Sequence, residues 1–172
     1  MNKKALIVIS LILVTVSSCQ KEEEPLFSAI TVNDISGELL WKRITEDFAY
    51  SGYSFWPGHE DVRAGQAPHG SLHRIYVNRT LLEGLPTQDR IAADGSIIVK
   101  DNLTATRELD SVTVMAKVEG YNPEAGDWFW AKYEPDGTVQ VEGKPGGCIR
   151  CHEGVAENDY VIVRRLDAPL KE

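Results

Sequence analysis

Near the C-terminus, Cys148-Ile149-Arg150-Cys151-His152 has the residue types and spacing of a reactive unit. Its two thiols stand one helical turn apart and an imidazole follows at once. Such a pair can add to the two vinyl groups of a haem, with the imidazole set beneath the iron. Three other chemistries share part of the pattern. A structural zinc site needs four protein ligands, yet there is no second cysteine pair, and His59, His69 and His73 have no supporting spacing. A thioredoxin-like redox pair belongs in the first βα unit of a βαβ pattern, whereas this pair lies close to the chain end. A plain Cys148–Cys151 disulfide in a haem-free binding module stays open.

Haem c is attached outside the bacterial cytoplasm, so the reading needs an export signal. Lys3 and Lys4 precede a nearly unbroken apolar run from Ala5 to Val16, too short to span a bilayer and flanked like a signal peptide. Val16-Ser17-Ser18-Cys19 resembles a bacterial lipobox, which makes Cys19 the lipidated first residue after removal of residues 1–18. Of three cysteines, only Cys148 and Cys151 then remain. Residues 19–27 form a charged tether, and 28–172 a single domain with room for a real core. The expected location is the cell envelope, anchored by lipid and facing the periplasm or the cell surface.

Without Lys3 and Lys4 the chain carries 16 Lys and Arg against 26 Asp and Glu, a net charge near −10. That balance argues against nucleic acid or an anionic membrane face as partner. It suits a basic redox partner protein, since surface charge steers encounter.

The elements that must position the motif are mostly strands. Leu40, Trp41, Ile44 and Phe48 recur at helical spacing between Asn33 and Phe48, with Asp34 or Ser36 able to cap the start. Tyr50 to Pro68 is aromatic and glycine-rich without a period, as in an ordered loop. Arg74–Val77 and Ser96–Lys100 read as strands. The clearest is the stretch where Val112, Val114, Ala116 and Val118 alternate with Thr113, Met115, Lys117 and Glu119. Asp127–Tyr133 and Thr138–Val141 follow across short turns, and Tyr160–Arg164 reads as a last strand or a cover. The fold class is α+β: a mainly antiparallel β-sheet with an N-terminal helix and a short C-terminal helix bearing the motif. Four-helix c-prime cytochromes need four long helical periods, which this sequence lacks.

Several blocks in order carry a family resemblance. They are His69-Gly70, His73 to Asn78, Asp94 to Lys100, Val112 to Lys117, Gly120 to Pro123, Asp127 to Trp130, Pro135-Asp136-Gly137, Gly147 to His152, and Asp159-Tyr160-Val161. From about residue 55 to 163 the chain resembles the cytochrome P460 family. The resemblance implies a β-rich fold with one haem c, usually a homodimer, in which Cys148 and Cys151 carry the thioethers and His152 is the proximal ligand. It also implies one of two behaviours. True P460 enzymes oxidise hydroxylamine at a haem crosslinked to a lysine, and c-prime-beta relatives bind nitric oxide or carbon monoxide under an apolar, phenylalanine-lined cap.

Lys100 and Lys117 are the candidates for the crosslink or pocket. Met115, Phe129, Glu108 and Glu124 are candidates for the distal pocket, with Phe55 and Glu119 behind them. A carboxylate there would take protons from bound hydroxylamine, and a phenylalanine would exclude water. The sixth iron position decides the function. If it is open, the haem binds or oxidises small nitrogen species, with enzymatic turnover of hydroxylamine left undecided. If Met115, His59, His69 or His73 fills it, the protein is a six-coordinate electron-transfer cytochrome.

Overall fold

A computed structural model describes residues 30–170. The signal segment, Cys19 and the tether lie outside the described residues. The chain folds around one antiparallel sheet built from β1 Ser54–Phe55, β2 Arg63–Ala64, β3 Leu72–Val77, β4 Ile97–Leu103, β5 Leu109–Lys117, β6 Trp128–Tyr133 and β7 Val139–Gly143. Its order is β1-β3-β4-β5-β6-β7, and β2 shares the outer edge of β3 with β1. From β4 to β7 neighbours in sequence are neighbours in the sheet, the meander that the short turns predict.

Alternation along the strands sends side chains to two faces. On the first face, Val99, Val112, Val114, Ala116, Phe129 and Tyr133 meet the N-terminal helix α1, Gly37–Lys42, through Leu40. Ser36 caps α1 by accepting from the Leu39 amide at 3.2 Å, and the helix runs on as a π-helical turn over Arg43–Asp47. The predicted helix is therefore present but shorter and changed in pitch. Its apolar stripe still works, with Leu40 and Ile44 fully buried and Trp41 packed on Tyr133 at 4.7 Å between ring centres.

The second face packs Trp56, Ile75, Val77, Ile98, Met115, Trp128 and Trp130 against the C-terminal third of the chain. That cover comprises α3, Gly146–His152, a 3-10 turn over Glu153–Asn158, and the segment holding Val161 and Leu166. Tyr160–Arg164 is cover and not a strand. Helix α2, Arg79–Gly84, has no counterpart in the sequence reading. Asn78 starts it by accepting from the Leu81 amide at 3.2 Å, a cap of the usual kind.

Candidate functional site

Helix α3 sets the geometry of the motif. Cys148 and Cys151 are three residues apart and Cys148 and His152 four apart, so the three side chains project from one side of the helix. Cys148 and Cys151 are not joined in a disulfide. Burial holds the Cys148 thiol above its usual range. His152 turns toward the sheet, where Trp130 meets it edge to face at 4.7 Å between ring centres, inside the range of favourable aromatic pairs. Its Nδ1 bonds the Tyr160 carbonyl at 2.7 Å. That bond fixes the ring and leaves Nε2 as the nitrogen for a metal, the usual arrangement of a ligating histidine. Burial lowers the His152 pKa, with the Tyr160 carbonyl opposing it.

The Tyr160 carbonyl is placed by an unusual corner. Asp159 and Tyr160 both have left-handed backbone, φ 52° and 64°, a costly conformation for residues other than glycine. Four bonds hold it. Lys117 Nζ donates to both Asp159 carboxylate oxygens at 2.8 and 2.7 Å, and the Ala92 amide donates to the same carboxylate at 2.9 Å. Trp128 Nε1 donates to the Asp159 carbonyl at 2.8 Å, and Tyr160 Oη to the Glu124 carbonyl at 2.9 Å. Gly126 lets the corner close, because a Cβ there would stand 2.6 Å from Asp159 Oδ1.

The sheet beneath α3 reads as rungs. His73 pairs with Asn102, and Asn102 with Ser111; Ile75 pairs with Lys100, Lys100 with Thr113, and Thr113 with Lys132; Ile98 pairs with Met115, and Met115 with Trp130. The face grades from apolar at Met115 and Trp130 to polar at His73 and Asn102. Lys100 makes no hydrogen bond or ion pair among the described residues, and burial lowers its pKa to about 8. Its charge acts on His59, His69, His73 and His152. Burial, assisted by Lys100, holds His69 and His73 down at about 4. Both are therefore neutral imidazoles at physiological pH.

Ring nitrogens of Trp56, His59, His73 and Trp130 are buried with no partner. Such orphans are uncommon and call for an explanation. Trp56 and Trp130 belong to the core on the His152 face, and strand alternation puts His73 there too. Partnerless N–H donors on that face, a cationic Lys100 and a thiol pair beside a tethered imidazole fit a flat, largely apolar group that carries carboxylates. Haem c is such a group.

The other expected pocket residues divide. Met115 lies in the core on this face, 8% exposed. Lys117 points to the same face but is bound in the buried pair with Asp159 over the Trp128 ring, so it is a brace and not a free amine. Phe129 faces the other way, into the core under α1, where it meets Tyr121. Phe55 stacks on Tyr76 at the sheet edge. Glu108 is exposed in the turn between β4 and β5, and Glu124 is exposed in the 3-10 turn Pro123–Ala125. Glu119, exposed after β5, uses its amide to bond Asp94. No carboxylate is among the groups acting on His69 or His73. Asp159, Trp128 and Trp130 had no assigned role in the sequence reading; the indole nitrogens and the partner of Lys117 become visible only through contacts between residues far apart in the chain.

A β-sheet domain with a C-terminal C-x-x-C-H helix laid across one face is a c-type cytochrome of the non-helical class. The cytochrome P460 family matches residues 51–163, and the chain belongs to that family, whose members bind a c-type haem. Comparison with curated proteins returned no match.

Proposed function

We propose that this is a lipid-anchored monohaem c protein of the cell envelope whose haem binds or oxidises small nitrogen species such as nitric oxide and hydroxylamine. Cys148 and Cys151 would hold the haem through thioethers, and His152 would ligate the iron through Nε2. The haem supplies an iron centre that binds small molecules and passes electrons to a redox partner protein. The chain's own residues orient and insulate it. Tyr160 fixes the His152 ring, Met115 and Trp130 keep water from the sheet side, and the His69 and His73 imidazoles, being neutral, can accept protons that the sequence reading assigned to a carboxylate.

The observation that carries the reading is the partnerless amine of Lys100 on the His152 face. An amine held near neutrality is a nucleophile, and in this family a lysine joins the haem of the hydroxylamine-oxidising members. Protein made with a cytochrome c maturation system should bind nitric oxide when ferrous and reduce an artificial acceptor with hydroxylamine. Intact mass of the haem peptide should show whether Lys100 is joined to it. Full activity and an unchanged haem peptide in Lys100→Arg would remove Lys100 from the reading. A homodimer is the expected assembly, to be read by light scattering.

A further inference from the structure

We infer that Lys117, Asp159 and Gly126 are positioning residues for His152: together they hold the Tyr160 carbonyl on its Nδ1 and so set how strongly the imidazole binds the haem iron. This rests on the haem c reading above and deepens it. The His152 ring is oriented from behind, where Nδ1 lies 2.7 Å from the Tyr160 carbonyl oxygen. A carbonyl only accepts, so Nδ1 carries the proton and donates it. A stronger acceptor there makes the imidazole a better donor to a metal, and loss of the acceptor makes it a poorer one. A stronger acceptor is close by, because the Asp159 carboxylate stands one residue from the carbonyl that His152 uses. Lys117 Nζ occupies both of its oxygens, at 2.8 and 2.7 Å, and the imidazole keeps the neutral carbonyl.

The corner needs that support. Asp159 and Tyr160 are consecutive non-glycine residues in the left-handed region, at φ 52° and 64°, a backbone that persists only where its surroundings enforce it. Local bonds tie the corner to its own segment. The Tyr160 amide donates to the Val155 carbonyl at 3.3 Å and the Val161 amide to the Asn158 carbonyl at 3.0 Å, while Asn158 Nδ2 donates to the Val161 and Arg164 carbonyls at 2.6 and 2.8 Å. The bonds of Asp159 tie it to the rest of the domain, through Lys117 at the end of β5, Trp128 at the start of β6 and the Ala92 amide. Both side chains of the ion pair are buried, 9% and 5% exposed. Gly126, at φ +67°, presses on the same point: a Cβ there would stand 2.6 Å from Asp159 Oδ1 and 3.0 Å from the Tyr160 ring. A side chain at position 126 therefore displaces the corner without changing any charge.

The test uses the full haem-loaded protein and reads the ferrous iron–histidine stretch by resonance Raman together with the midpoint potential. Asp159→Ala, Lys117→Met and Gly126→Ala should each lower the stretching frequency and raise the potential, because each frees the Tyr160 carbonyl and weakens the same ligand. Charge acting alone through space gives a different pattern: loss of the carboxylate raises the potential, loss of the amine lowers it, and Gly126→Ala leaves it unchanged. Asp159→Asn keeps an accepting oxygen and a residue that tolerates the left-handed region, so its stretch should stay close to wild type. Opposite shifts of potential in Asp159→Ala and Lys117→Met overturn the inference while leaving haem c attachment intact. So does an unchanged stretch in Gly126→Ala, or one lowered as far in Asp159→Asn as in Asp159→Ala. If Asp159→Ala does not fold, Lys117→Met and Gly126→Ala decide between the same two patterns. Absence of haem in the wild type would overturn the haem reading itself.

Discussion

The two faces of the sheet are built from the same strands and end in opposite states. Under α1 two tyrosine hydroxyls are matched: Tyr133 Oη donates to the Gly37 carbonyl and Tyr50 Oη to Asp101, both at 2.9 Å. Under α3 buried ring nitrogens of Trp56, His73 and Trp130 have no partner, although one residue there, Lys117, is paired with both carboxylate oxygens of Asp159. The first face is a finished core. The second is finished only around the Asp159–Tyr160 corner and keeps donors for something that is not protein. The α1 side thus serves stability alone, whereas the α3 side combines a stabilising corner with the site.

Variants on the two sides should separate accordingly. The largest effect is expected on the α3 face, where Cys148→Ala with Cys151→Ala should abolish covalent haem, read as complete extraction of haem into acidified organic solvent. Next comes Asp159→Ala, which strands a buried Lys117 cation. Removing one member of such a pair costs about 3–5 kcal/mol, measurable by denaturant unfolding, and it should also disturb the spectrum through the Tyr160–His152 bond. Leu40→Ala on the other face should cost about 2–5 kcal/mol by opening a cavity and leave the haem spectrum unchanged. A spectral shift in Leu40→Ala would erase the division.

The smallest effect concerns Lys100. Its folded pKa of about 8 lies below the ordinary 10.5, so between these values the unfolded chain binds more protons and stability rises with pH. Comparison with Lys100→Met across that window should reveal a rise of about 1 kcal/mol, moderated by solvent at the amine. A flat difference would mean that the amine is solvated or engaged.

What the sequence made legible follows from which signals are local. The C-x-x-C-H spacing, the alternation through Val112–Val118 and the stripe Leu40–Ile44 are local, and the sheet and both named helices follow from them. Phe129 was misplaced because Trp128-Phe129-Trp130 is buried on both faces, and an unbroken aromatic run carries no period to say which side each ring takes. Lys100 and Lys117 alternate onto the same face. What divides them is Asp159, 42 positions beyond Lys117. His69 lies in a loop, where no pattern announces that its ring will come near His152.

The central claim is that the α3 face is built around one haem held by Cys148, Cys151 and His152. Intact mass of the wild-type protein, produced with cytochrome c maturation and freed of loosely bound cofactor, tests it most directly. The account predicts a chain heavier by one haem, with the pyridine haemochrome of two thioether bonds. A chain of unmodified mass, or one lighter by the two hydrogens of a Cys148–Cys151 disulfide, would contradict it.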